Sequence, residues 1–106
     1  MKNLAVLGST GSIGRSTLAL VAAFPERLSA KVLTARTNLT LLLQQIDIFR
    51  PELAVVFDRA SAESLQRQLP ADTRVQVLFG GEGYCAAASW ASVDQVVTAM
   101  VGAAGL

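Results

Sequence analysis

The sequence predicts an α/β fold in which a doubly wound parallel sheet of about five strands carries helices on both faces. Short apolar segments alternate with helical segments along the whole of the 106-residue chain. The two-residue turns that typically join antiparallel strands, such as Asn-Gly, are missing from the sequence. Since 52% of the residues are apolar and only 16% are charged, the chain can bury a core on both faces of such a sheet.

The first strand and the first helix meet at a glycine-rich turn. Residues 3–8, NLAVLG, are a continuous apolar run, which predicts a strand that is buried on both faces. Residues 12–24 change to a helical period, and Pro25 ends the helix because proline cannot continue it. The predicted apolar face of this helix consists of residues spaced by about one turn: Ile13, Thr17, Leu20, Val21 and Phe24.

The later elements continue the alternation. We predict strands at residues 30–35, 53–57, 75–79 and 93–100, and helices at residues 39–49, 60–69 and 80–88. Pro51 and Pro70 follow the second and third helices and mark their ends. Right-handed crossovers between the parallel strands then place helices on both faces of the sheet.

The last segment, VVTAMVGAAGL, ends the chain in an apolar, glycine-containing turn just after the fifth strand. A fifth strand needs a helix to cover it, and no helical segment follows. We therefore expect residues 1–106 to be an N-terminal domain that is truncated at its C-terminus and belongs to a longer protein.

Composition and cysteine content exclude several classes of protein. The net charge of +1 and the lack of a basic stripe argue against nucleic-acid binding. Cys85 is the only cysteine and histidine is absent, which excludes a disulfide framework and argues against a structural zinc site. A lone thiol is consistent with a cytoplasmic protein. We expect neither a signal peptide nor a membrane helix, which needs roughly 20 apolar residues.

The turn between the first strand and helix has the sequence GSTGSIG, from Gly8 to Gly14. Gly8 permits a sharp turn, Gly11 lets a ligand approach the backbone, and Gly14 lets the helix pack closely on the sheet. The N-terminus of a helix offers free N–H groups and a partial positive charge, so the turn predicts a pyrophosphate site of the Rossmann-like kind. Thr10 and Ser12 can add hydroxyl donors, and Ser12 can cap the helix. The alternative is a tight structural turn without a ligand.

The end of the second strand favours NADP over NAD. An NAD site usually has an acidic residue there to bind the ribose 2′-hydroxyl, whereas this chain has Arg36, Thr37 and Asn38. A guanidinium can bind a 2′-phosphate, and the two polar neighbours can add hydrogen bonds. The alternative is that Arg36 is an ordinary surface arginine.

The segment VGAAGL, residues 101–106, follows the fifth strand at the same edge of the sheet, where small residues would let a flat ring lie against the backbone. The alternative is a loop without ligand contacts. Asp58 and Asp94 are interpreted as solvated turn carboxylates without partners, and Trp90 and Tyr84 as side chains at a helix edge. A nucleophilic role of Cys85 is not expected, since no histidine is present to activate its thiol.

Three segments, LAVLGSTGSIGRSTL, FRPELAVV and VDQVVTAMVGAAGL, resemble the N-terminal domain of the 1-deoxy-D-xylulose 5-phosphate reductoisomerase family, and the resemblance covers essentially the whole chain. It implies the NADPH-binding domain of a cytoplasmic homodimer. This family converts a phosphosugar, 1-deoxy-D-xylulose 5-phosphate, to 2-C-methyl-D-erythritol 4-phosphate. The conversion combines a rearrangement with an NADPH-dependent reduction and belongs to the non-mevalonate pathway of isoprenoid biosynthesis.

The glycine turn and the resemblance together predict three groups of cofactor contacts. The groups are Gly8, Thr10, Gly11, Ser12 and Ile13 at the pyrophosphate; Arg36, Thr37 and Asn38 at the 2′-phosphate; and Gly102, Ala103 and Ala104 toward the nicotinamide. Family members often have Gly-Lys-Asn where this chain has Arg36, Thr37 and Asn38, so the basic charge is displaced by one residue.

The resemblance also implies what lies beyond this chain. The carboxylates that bind a divalent metal (Mg, Mn or Co) and the mobile loop over the substrate would follow residue 106, so the chain alone is expected to be inactive. Two other interpretations stay open at this point. One is the cofactor domain of another NADP-dependent enzyme, such as a semialdehyde dehydrogenase, and the other is a non-enzymatic nucleotide-sensing module.

Overall fold

The computed structural model describes residues 1–36 and 38–98, which form five strands and four helices in alternation. The strands are β1 (Lys2–Leu7), β2 (Leu28–Thr34), β3 (Leu53–Val56), β4 (Gln76–Phe79) and β5 (Gln95–Thr98). The helices are α1 (Ser12–Ala23), α2 (Leu39–Phe49), α3 (Arg59–Gln68) and α4 (Gly80–Ala88). The bounds of α2 and α4 match the predicted ones, and the others differ by at most two residues. The predicted residues 99–100 of the fifth strand lie outside the described range.

The strands form one parallel sheet in the order β4-β3-β2-β1-β5, which confirms the predicted fold class. From β1 to β4 the chain moves across the sheet in one direction, so right-handed crossovers put α1, α2 and α3 on the same face. The crossover to β5 returns to the far side of β1, which puts α4 on the opposite face. Strand order therefore reverses at β1, and ligands of such sheets bind beyond the carboxyl ends of the strands at this switch point.

Each face of the sheet has its own core. On one face, Leu4 and Val6 of β1 pack with Leu18 of α1, Leu42 of α2 and Leu65 of α3. The other face is smaller: Ala5, Val32, Leu53 and Val55 meet Ala87 of α4, and the half-buried Tyr84 and Trp90 cover its edge as predicted. Because both faces are covered, β3 (LAVV) and residues 4–6 of β1 are continuous apolar runs rather than alternating with polar residues.

Of the predicted apolar face of α1, Val21 is buried and Thr17 is half-buried, but the other three residues are exposed. Ile13, Leu20 and Phe24 are 57%, 56% and 50% exposed, and the buried positions of the helix are Gly14, Leu18 and Val21. The cause lies at Gly14, which packs directly on the backbone of the preceding turn and thereby fixes the rotation of the helix.

Asp58 is not the partnerless turn carboxylate that the sequence suggested, because it caps α3. Its Oδ1 accepts a hydrogen bond of 2.8 Å from the Ser61 backbone N–H, which satisfies one of the free donors at the start of the helix.

We expect Asp58→Ala to lower the Tm by a few degrees and Asp58→Asn, which keeps the acceptor oxygen, to restore most of the loss. Equal melting of Asp58→Ala and the wild type in a thermal scan would contradict this assignment.

The connection from α4 to β5 is fixed by two acidic side chains. Asp94 Oδ2 accepts a hydrogen bond of 2.8 Å from the backbone N–H of Asn3, which corrects the expectation that Asp94 has no partner. Glu52 Oε1 accepts hydrogen bonds from the Ser92 hydroxyl at 2.7 Å and from the indole N–H of Trp90 at 2.9 Å. These contacts hold the loop before β5 against the amino ends of β1 and β3.

Two hydrogen bonds hold the pKa of Glu52 below its usual value. The one from Ser92 has the larger effect and the one from Trp90 the smaller. A carboxyl group with a lower pKa in the folded state stabilises the fold above its unfolded pKa, about 4.3 for glutamate, and loses this contribution as the pH falls through the folded pKa. We therefore expect the urea midpoint of the wild type to fall more steeply below about pH 4.3 than that of Glu52→Gln, which keeps an acceptor oxygen but does not titrate. Parallel pH profiles of the two proteins would refute the stabilising role of Glu52.

Two further findings concern the described residues only. None of their helices is long and apolar enough to cross a membrane. Within residues 1–36 and 38–98, no group of acidic, cysteine or histidine side chains is arranged to hold a metal ion.

Candidate cofactor-binding site

The glycine turn begins where β1 ends, at the switch point of the sheet. Gly8 has a φ of 83°, a conformation that side chains other than glycine rarely adopt, which confirms the sharp turn predicted there. The N–H of Gly11 donates a 3.1 Å hydrogen bond to the Gly8 carbonyl and closes the turn. Gly11 has a φ of −80° and a ψ of 175°, so its backbone does not require glycine. The absence of a side chain there leaves the surface of the turn open.

Gly14 is the point of closest approach between α1 and the turn. A Cβ atom at this position would clash with the Gly8 carbonyl oxygen and would lie 2.7 Å from Ser9 Cα and 2.9 Å from the Ser9 carbonyl carbon. All three atoms belong to the backbone and cannot move aside as a flexible side chain could. Glycine at this position therefore lets the start of α1 lie directly against the turn, as the motif predicted.

A buried network that the sequence analysis missed anchors the turn. The backbone N–H of Gly8 donates to Thr34 Oγ1 and that of Ser9 to the Thr34 carbonyl, both at 2.8 Å. Ser9 Oγ lies 2.7 Å from Gln45 Oε1, and Gln45 Nε2 donates to the Ser9 carbonyl at 2.8 Å. Ser9, Thr34 and Gln45 are each at most 5% exposed. The only signal in the sequence was a glutamine at a position of α2 that faces the sheet.

The start of α1 has no side-chain cap. Gly11 occupies the N-cap position, so Ser12 is the first helical residue and does not cap the helix, contrary to the prediction. By contrast, Asn38 caps α2 by accepting a 3.2 Å hydrogen bond from the Leu41 N–H, and Asp58 caps α3. Helix α4 also begins without a side-chain cap, but it carries Glu82 in its first turn and follows the edge strand. At the switch point, α1 therefore presents its positive end without a carboxylate or amide over it.

Arg36 lies just beyond the carboxyl end of β2, next to the glycine turn. Its side chain is exposed, and its guanidinium carbon lies 5.0 Å from the centre of the Phe57 ring, which follows β3. Tyr84 of α4 donates a 3.3 Å hydrogen bond to the Ala35 carbonyl. Burial raises the pKa of Tyr84, and the nearby charge of Arg36 opposes that shift, so Tyr84 keeps its proton at neutral pH.

The structure thus brings two of the three predicted groups to one edge of the sheet. Gly8, Thr10, Gly11, Ser12 and Ile13 lie at the end of β1, and Arg36 and Asn38 lie at the end of the neighbouring strand β2. The hydrogen bonds from Gly8 and Ser9 to Thr34 couple these two strand ends directly. Thr37 and the third group, Gly102, Ala103 and Ala104, lie outside the described residues.

The comparisons with known proteins agree on one family. The family model described as 1-deoxy-D-xylulose 5-phosphate reductoisomerase matches residues 4–106. The protein of that name from Desulfosudis oleivorans is 53% identical over the whole chain, and the one from Chlorobaculum tepidum is 49% identical. The chain spans about 28% of the length of each of these two relatives.

Solved structures give the same result. A crystal structure of DOX-P reductoisomerase in complex with NADPH, fosmidomycin and magnesium superposes with a TM-score of 0.91 at 37% identity, over 100% of this chain and 26% of that one. The 1-deoxy-D-xylulose 5-phosphate reductoisomerase from Zymomonas mobilis in complex with NADPH gives a TM-score of 0.87 at 32% identity, over 98% of this chain and 27% of that one.

Proposed function

The chain belongs to the 1-deoxy-D-xylulose 5-phosphate reductoisomerase family, and we propose that residues 1–106 are the NADPH-binding domain of such an enzyme. The whole enzyme would convert 1-deoxy-D-xylulose 5-phosphate to 2-C-methyl-D-erythritol 4-phosphate by rearrangement and NADPH-dependent reduction, in the non-mevalonate pathway. The observation that carries the proposal is the uncapped positive end of α1 behind the Gly8 turn, at the switch point of the sheet. The membership in this family leaves no support for a semialdehyde dehydrogenase or a nucleotide-sensing module.

The pyrophosphate of NADPH would lie against the backbone of Thr10, Gly11, Ser12 and Ile13. Two negative charges are favoured there because the helix end carries a partial positive charge of about half a unit. The open surface at Gly11 permits the phosphate oxygens to approach the backbone N–H groups. The hydrogen bonds to Thr34 and Gln45 keep this backbone in place before the cofactor arrives, so little ordering is needed on binding.

The adenosine 2′-phosphate would be bound by Arg36, with Thr37 and Asn38 beside it. The only salt bridge within the described residues joins Arg59 to Glu63, so no carboxylate among them competes for the Arg36 guanidinium. The nicotinamide would lie toward Gly102, Ala103 and Ala104. When bound, NADPH supplies the hydride of the reduction, and the part of this domain is to bind and orient it.

Other parts of the reaction would lie outside this chain. A divalent metal (Mg, Mn or Co), the phosphosugar substrate and the catalytic residues would be held by the remainder of a cytoplasmic homodimer. Complexes of related enzymes with magnesium and NADPH support a divalent metal and this cofactor. The isolated domain would therefore bind the cofactor without turning over substrate.

The test is a calorimetric titration of NADPH and, separately, NADH into this chain and into the full-length protein. We expect preference for NADPH, and Arg36→Ala should weaken NADPH binding about tenfold or more with little effect on NADH, because a charge-assisted hydrogen bond is lost. Arg67→Ala is the matched control, since Arg67 lies at the other end of the sheet in the last turn of α3. If the full-length protein bound neither nucleotide, the proposed function would be wrong.

A further inference from the structure

Phe57 lies at the carboxyl edge of the sheet and is 49% exposed, although it is a large apolar ring. Phe57 is not part of the hydrophobic core. The four preceding residues, which form β3, are fully buried, whereas Phe57 belongs to neither of the two core clusters. Its contact is with Arg36, whose guanidinium carbon is 5.0 Å from the ring centre. This distance is within the range of a cation–π interaction.

Both partners of this contact are attached to rigid backbone. The Ala35 N–H donates a 2.9 Å hydrogen bond to the Val55 carbonyl, which joins the ends of β2 and β3 just before Arg36 and Phe57. On the other side, Asp58 caps α3 directly after Phe57. The backbone of Phe57 is therefore fixed between a strand end and a helix cap, and its ring offers a surface to a side chain that is otherwise long and flexible.

The geometry of the contact is compatible with phosphate binding. An arginine packs on an aromatic ring with the flat face of its guanidinium. Its N–H donors lie in the plane of the guanidinium, so they point sideways rather than toward the ring. An Arg36 guanidinium packed on Phe57 in this way would keep those donors available to a phosphate. An arginine that is already held in place loses less conformational entropy when it binds, which increases affinity.

We propose that Phe57 is a positioning residue that holds Arg36 for the 2′-phosphate and so contributes to the discrimination of NADPH from NADH. This inference rests on the proposed function of the site as a dinucleotide-binding site. It assigns to Phe57 an effect on one nucleotide only, because NADH has no 2′-phosphate and gains nothing from an ordered guanidinium.

The test compares Phe57→Leu with Phe57→Tyr in the full-length protein, with dissociation constants for NADPH and NADH measured by calorimetry. We expect Phe57→Leu to weaken NADPH binding about two- to fivefold, the size of an exposed cation–π contact, and to leave NADH binding unchanged. Phe57→Tyr keeps an aromatic face and should retain the wild-type preference. Thermal melting of both variants checks that the fold is intact.

A double-mutant cycle identifies the route of the effect. If Phe57 acts through Arg36, Phe57→Leu should have no further effect on NADPH binding in the Arg36→Ala background. The inference is overturned if Phe57→Leu weakens NADPH and NADH equally, as direct stacking on the adenine would, or if its effect persists without the guanidinium. It is also overturned if Arg36→Ala abolishes the preference for NADPH while Phe57→Leu leaves it intact, and in that case the proposed function still holds.

Discussion

Replacing Gly14 with alanine is expected to lower the free energy of unfolding by about 3 kcal/mol and to abolish NADPH binding. The added methyl group would meet the Gly8 carbonyl oxygen and the backbone of Ser9, so either α1 or the turn must move. Neither can move cheaply, because the turn is hydrogen-bonded to Thr34 and α1 packs on the sheet through Leu18 and Val21. Urea unfolding and a calorimetric titration measure the two effects.

Gly81→Ala is the control for the Gly14 substitution. Gly81 is also helical, and a Cβ atom there would have no heavy atom within 4 Å. Since alanine is the better helix former, this variant should be stabilised by up to about 1 kcal/mol and should bind NADPH like the wild type. Similar losses of stability in both variants would show that the clash at Gly14 is not the cause.

The second large effect is expected for Gln45→Leu, which should lower the free energy of unfolding by about 2 kcal/mol. Leucine has a similar volume, so the packing of α2 is largely kept. The loss comes from Ser9, whose buried carbonyl would have no donor and whose hydroxyl would keep only a 3.3 Å contact with the Thr34 carbonyl. Because Ser9 is part of the turn, NADPH binding should weaken although Gln45 is buried away from the cofactor surface.

Gln44→Leu provides the matched control, since Gln44 is the exposed neighbour of Gln45 on α2. It makes the same chemical change without removing a buried partner, so its stability should stay within about 0.5 kcal/mol of the wild type. Chemical denaturation and the NADPH dissociation constant should be measured for both variants. If Gln45→Leu kept wild-type stability and affinity, the network could not be what anchors the turn.

The sequence was sufficient to predict the fold class because apolar strands and helical segments alternate clearly and prolines mark three of the helix ends. It was not sufficient for the rotation of α1. The predicted close packing of Gly14 and the predicted apolar face that includes Ile13 cannot both face the sheet, since neighbouring residues differ by about 100° around a helix. The glycine contact decides the rotation, and hydrophobic periodicity gives no weight to a residue without a side chain.

Only some of the polar residues of the site could be predicted from the sequence. Arg36 could be identified because its chemistry is visible from its position at a strand end. Ser9, Thr34 and Gln45 could not, because each has an ordinary role in isolation and only the packing of α2 against β1 and β2 brings them together. Asp58 is an intermediate case, because an aspartate directly before a helical segment is typical of an N-cap and its role could have been predicted from that position.

The place of β5 in the sheet has a consequence for how this protein is made. Leu4 of β1 pairs with Gln95 of β5, so one edge of the strand that leads into the glycine turn is paired only by the last strand described. At typical rates of synthesis, roughly five to twenty seconds pass on the ribosome between the emergence of the two strands. During that interval β1 has an unpaired edge, which is a template for wrong pairing. Among the five described strands, the pairing of β5 with β1 at the switch point is therefore the last to form in the order of translation.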